Sequence, residues 1–206
     1  MLAAMIHSFI LSFGLILPLG VQNIFVFNQG AIQPRFSKAL PAIFTAAICD
    51  TLLISMSILG VSVMVFEYTP IKLALYSGGI FFLIFMGFVT WKSKSKQADS
   101  VTDVKLSAKK QITFALSVSL LNPHALLDTA GVIGTSSMHY DGASKLAFGF
   151  TSILVSWLWF NGLGIAGRLT GKMDPSGNFL NLLNKASALV MWTTAIYLCI
   201  LLFKQI

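Results

Sequence analysis

The chain has 206 residues, 56% of them hydrophobic and only 10% charged, with a mean hydropathy of +0.81. Soluble domains carry about 25% charged residues, so this composition excludes a soluble globular protein and predicts a polytopic membrane protein. The formal net charge is +7, but the lysines collect in short links between apolar runs, as membrane orientation requires, and no nucleic-acid partner is expected.

About 20 apolar residues cross the hydrocarbon. Segment one covers residues 2–28 and is free of Lys, Arg, Asp and Glu up to Arg35. It has no basic n-region and no small-residue cleavage site, so it reads as a retained membrane segment rather than a signal peptide. Inside it lies Leu17-Pro18-Leu19-Gly20-Val21-Gln22-Asn23. Pro18 removes a backbone donor and clashes with the preceding turn, Gly20 loosens the next, and Gln22 and Asn23 add uncharged polar groups. Such a run predicts a broken helix, tolerated at membrane depth only where protein or a water-lined cavity satisfies the freed groups.

Segment two, residues 39–66, holds one charge, Asp50; segment three, 73–91, closes at Trp91. Residues 92–110 are a Ser/Lys-rich stretch with six lysines and no pattern that makes a core. Segment four, 111–138, contains a second interruption, Leu121-Asn122-Pro123-His124, followed by Asp128. Segment five, 146–168, carries Trp157, Trp159 and Asn161, and segment six runs from 185 to 203. The predicted fold is therefore all-α, a single membrane domain over 1–206 with about six transmembrane helices. Residues 1–91 form the first half, 92–110 a cytoplasmic linker and 111–206 the second half. Three segments per half insert the halves with opposite orientation, and the first helix of each is broken at a proline, Pro18 and Pro123. Paired breaks of this kind point to a transporter's central site.

The links after segments one, three and five carry ten Lys and Arg residues, while the opposite side has Lys72, Lys145 and Lys204, with Lys185 unassigned. The excess puts the odd-numbered links in the cytoplasm of a cell-membrane protein. Both termini then face outward; a re-entrant segment one would move only the N-terminus.

Asp50 lies about eleven residues into its segment, roughly 16 Å deep at 1.5 Å per residue, close to the midplane of a roughly 30 Å core. Asp128 is comparably deep. Each carboxylate costs about 2.5–3.5 kcal/mol at a helix centre, and no Lys or Arg occurs at that depth to compensate. The available partners are Gln22, Asn23 and Asn122, a bound proton, or a cationic ligand. The competing structural reading has each carboxyl protonated and hydrogen-bonded, fixing helix packing. His124 fits either a proton relay or a hydrogen bond at the helix break. Asn23 and Asn122 are expected to cap the half-helices beyond the breaks, and Gln22 to touch cargo. The half-helix N-termini suit a carboxylate. Glycines at 131 and 134, and at 164, 167 and 171, read as helix-packing positions. Cys49 and Cys199 read as small buried hydrophobes. No metal site, cofactor motif or catalytic set is present, so an ion or solute gradient must supply the energy.

At these residues the chain resembles the LysE-type (lysine exporter) amino-acid efflux family, in its basic amino-acid branch. The resemblance rests on the 17–23 run with Asn28-Gln29-Gly30, on Asp50, and on Leu121-Asn122-Pro123-His124-Ala125-Leu126-Leu127-Asp128-Thr129. Ser156-Trp157-Leu158-Trp159-Phe160 and Val190-Met191-Trp192 also fit. Val21 departs from the family pattern, which has a second proline there. The resemblance implies export of arginine or lysine; exchange for one proton would make such a cycle charge-neutral. Gln22, Asn23, Asp50, Asn122 and Asp128 would bind cargo, and Asp50, Asp128 and His124 would handle protons. The expected partners are a basic amino acid, a proton or ion gradient and the bilayer, with homo-oligomerisation left open. A neutral amino acid or metal cation as cargo, and a non-transporting scaffold or sensor, stand as rivals.

Overall fold

In hydrocarbon each backbone polar group must be satisfied within its own segment, which makes the apolar runs helical. The computed structural model describes residues 1–17, 20–60, 69–92, 106–120, 128–173 and 178–203. Its elements are α1 (Leu2–Ile16), α2 (Val21–Ile32), a 3-10 turn (Phe36–Lys38), α3 (Leu40–Ile58), α4 (Thr69–Lys92) and α5 (Ala108–Leu120). A π-helix (Asp128–Gly134) then runs into the short turn Thr135–Ser137, followed by α6 (Gly142–Met173) and α7 (Asn178–Phe203).

By length and apolarity, α3, α6 and the Asn181–Ile200 part of α7 each suffice to span a membrane. The α1–α2 pair makes a fourth candidate, bent by 78°. Among the described residues these are three to four of the six spans expected from the sequence. α4 adds a shorter apolar helix, Ser77–Lys92, and predicted segment four crosses residues 121–127, which lie outside the described residues.

Helix α2 sits at the centre. It packs on α6 along its length and also touches α3, α5 and α7. Its first six residues, Val21 to Val26, are all buried. Close approach to α6 depends on glycine. A Cβ on Gly167 would run into the Phe27 carbonyl oxygen, one on Gly171 into that of Ala31, and one on Gly30 into that of Gly164. The small-residue spacing in segment five is thus a helix-packing seam. Phe160 is 1% exposed and fills the core with Val26, Ile43 and Ala47.

Contacts across the molecule tie its two ends. At one end Arg168 donates to the carbonyls of Gln33 (2.6 Å) and Pro34 (2.8 Å). There too Gln111 Nε2 donates to Lys38 O at 2.9 Å, and Gln33 Nε2 to Leu106 O at 3.1 Å. At the other end His7 Nδ1 and the Tyr140 hydroxyl lie 2.9 Å apart. Asp50 falls midway along α3, between these two ends.

Candidate functional site

The break between α1 and α2 builds the site. α1 ends at Ile16, and α2 begins after Gly20, whose extended backbone (φ −75°, ψ 176°) turns the chain without a side-chain cap. The opening leaves a cavity of about 200 Å³ bordered by α1, α2, α3, α4, α6 and α7 and by the π-helix. That is some ten times the space one water needs. Among its lining residues are Gly20, Gln22, Asn23, Asp50, Ser156 and Thr129.

Asp50 is the one charged side chain among the described residues around this cavity, and no Lys or Arg lines it. Two donors reach its carboxylate: Ser156 Oγ to Oδ2 at 2.9 Å and, more weakly, Gln22 Nε2 to Oδ1 at 3.4 Å. The Gln22 amide also approaches Ala46 O at 3.5 Å. Two neutral donors on a mid-membrane carboxylate leave lone pairs available to a further N–H or O–H donor. One step along α3, Thr51 Oγ1 accepts from Trp157 Nε1 at 3.0 Å. This bond fixes the indole beside the site.

Asn23 reaches back across the break. Its Nδ2 donates backwards to Ile16 O at 2.7 Å, and its Oδ1 accepts from Trp159 Nε1 at 3.3 Å. A helix end leaves its last carbonyls without partners, and the break between α1 and α2 places that end of α1 within reach of Asn23. The asparagine therefore stitches the two half-helices together from the far side of the break.

Of the residues singled out in the sequence, Gly20, Gln22, Asn23 and Asp50 meet at this cavity. Pro18, Asn122, Pro123 and His124 lie outside the described residues. Asp128 is described only as the first backbone position of the π-helix, next to the cavity-lining Thr129. The sequence assigned no site role to Ser12, Ser152 or Thr194, and had Ser156 only within the run that resembles the family; all four border the cavity. A signal was available. Ser8 and Ser12, and Ser152 and Ser156, recur at i, i+4 within apolar helices, which puts each pair on one face. Among the described residues no three His, Cys, Asp or Glu side chains gather in a metal-binding group.

Comparison with known proteins gives a consistent family. The model of the LysE type translocator family matches residues 13–201. The chain is 50% identical over 200 residues to "Putative amino-acid transporter YisU" of Bacillus subtilis (strain 168), covering 97% of this chain and 90% of that one. It is 35% identical over 188 residues to the "Arginine exporter protein ArgO" of Shigella flexneri, and 34% identical over 188 residues to that of Escherichia coli (strain K12). Each of these alignments covers 89% of this chain and 87% of the relative. No solved structure matches the chain. With a family model spanning nearly all of it and a relative 50% identical over 97% of it, the chain belongs to the LysE type translocator family, as a multi-pass amino-acid efflux transporter of the cell membrane and not an enzyme.

Proposed function

We propose that this transporter exports basic amino acids, arginine and lysine, from the cytoplasm in exchange for protons. The observation that carries the reading is Asp50, a mid-span carboxylate in a cavity whose described lining holds no basic side chain. A visiting cation supplies the compensation that the protein does not. The cargo's side-chain cation sits on Asp50, and its carboxylate lies at the N-terminus of α2 near Gln22, where the helix dipole favours an anion. Asn122 and Asp128 complete the site in this reading, with His124 beside the second break as the proton relay. The arginine exporters among the relatives support the choice of cargo.

Exporting a cation against an inside-negative potential costs about 2.3 kcal/mol per 100 mV. Exchange for one proton makes the cycle charge-neutral. A carboxylate that carries a cation outward and a proton inward performs that exchange, because the empty site reorients only once neutralised.

The proposed orientation puts the Arg168 end in the cytoplasm and the His7–Tyr140 end outside. Lys185, unassigned by sequence, has its ammonium 6.0 Å from the centre of the Trp91 ring. Trp91 precedes Lys92, the first lysine of the linker, so Lys185 joins the basic side. Two inverted halves, with α1–α2 as the broken first helix of one of them, remain the proposed architecture.

The test is counterflow of radiolabelled arginine and lysine in proteoliposomes across a pH step, with unlabelled threonine and a divalent cation as competitors. Acidifying the side that receives arginine should accelerate its efflux. If Asp50→Asn leaves arginine efflux and its pH dependence unchanged, the mechanism is wrong.

A further inference from the structure

Three serines on α1 and α6 hold their hydroxyl protons in a fixed order. Ser8 Oγ donates to the Phe148 carbonyl at 2.6 Å. A serine hydroxyl has one proton, so the 2.8 Å contact between Ser8 and Ser152 must be a bond donated by Ser152. Ser12 Oγ then donates to Ser152 at 2.9 Å. The relay runs one way, from the cavity wall to a backbone carbonyl, and its first member has given its proton away. Among the described residues nothing donates to Ser12, so at the cavity it presents only lone pairs. Ser8 and Ser152 are completely buried behind it.

Several other polar groups of the wall also donate to protein acceptors. Ser156 has given its proton to Asp50, Thr194 Oγ1 donates to Val190 O at 2.8 Å, and the amide nitrogens of Gln22 and Asn23 are engaged with protein acceptors. The cavity therefore offers a hydroxyl acceptor at Ser12, beside Ser152, and a carboxylate acceptor at Asp50, beside Ser156. Ser152 and Ser156 are one helical turn apart, about 6 Å along α6. Two N–H-rich groups separated by a few methylenes bridge such a distance.

We propose that Ser12, oriented by Ser152 and Ser8, is the subsite for the α-ammonium group of the cargo, while Asp50 takes the side-chain cation. This rests on the export of basic amino acids set out above and adds a requirement to it. The transporter selects cargo with two cationic ends, and Ser12 reads the one on the α-carbon. Ser152 and Ser8 are positioning residues that keep Ser12 an acceptor.

The probe is 5-guanidinopentanoic acid, which is arginine without its α-ammonium and with no added bulk. In arginine counterflow by the wild type, it should compete at least about tenfold more weakly than unlabelled arginine, the loss expected for one hydrogen bond to a charged group. Ser12→Ala should weaken arginine about tenfold and leave the probe unchanged, bringing the two close to parity. Ser12→Thr, which keeps the hydroxyl, should retain the wild-type ratio. Equal competition by probe and arginine in the wild type overturns the subsite whether or not Ser12→Ala folds. So does a Ser12→Ala protein that loses both equally, as a purely structural serine would. A wild type that carries no arginine at all removes the cargo reading itself, an outcome separate from a change in the ratio.

Discussion

α1 and α2 come from one apolar stretch of sequence and meet opposite environments. On α1, Leu2, Ile6, Phe9, Ile10 and Phe13 are all exposed at the protein surface. On α2, Gln22 and Asn23 are buried along with Val21, Ile24, Phe25 and Val26. The more apolar half-helix faces lipid, and the more polar one lies inside. That is the reverse of a soluble protein, and its cause is the solvent. Lipid tails take apolar side chains at no cost but leave a polar group unpaired, so polarity drives burial. The difference also explains why the site forms on α2 and its neighbours, where buried polar groups can bond to one another.

The comparison is broken most severely at the buried charge. Asp50→Asn should lower arginine export on the order of a hundredfold, the scale of losing one member of a desolvated charge pair, as measured by efflux from loaded proteoliposomes. It should leave the detergent-solubilised protein folded. Next comes the seam that holds α2 inside. Gly167→Ala drives a methyl group into the Phe27 carbonyl oxygen, and neither backbone can yield. A loss of about 2–3 kcal/mol is expected, read from thermal unfolding in detergent.

Asn23→Ala should follow at about 1–2 kcal/mol. It strips the partner from Ile16 O and from the Trp159 indole, and hydrogen exchange at the end of α1 should rise. Asn23→Asp, which cannot donate to the carbonyl when ionised, should not rescue it. Smallest of all, Ile10→Val on the lipid face of α1 should stay within about 0.5 kcal/mol with export unchanged. A large effect there would show that α1 is packed against protein and that its exposure is filled by a partner.

Some of this was written in the chain itself. Alternation of apolar runs with lysine-bearing links is enough to give an all-helical membrane protein, since hydrocarbon permits few other solutions for the backbone. Pro18 and Gly20 mark the break, because they spoil the helix wherever it folds. Asp50 is marked by its cost at mid-span. The seam on α6 is readable as well, for glycines one turn apart have few other uses in a membrane helix.

The tertiary structure decided the rest, for one physical reason: hydrogen bonds between distant helices depend on which faces meet. Composition could not foresee that Asn23 would reach back to Ile16. Nor could it foresee that Ser156, more than a hundred residues away, would donate to Asp50. The four-residue spacing of the serines was visible, but only the packing of α1 on α6 lined them up and set the order of their protons. Sequence determined where polarity would be costly; the fold determined which partner meets that cost.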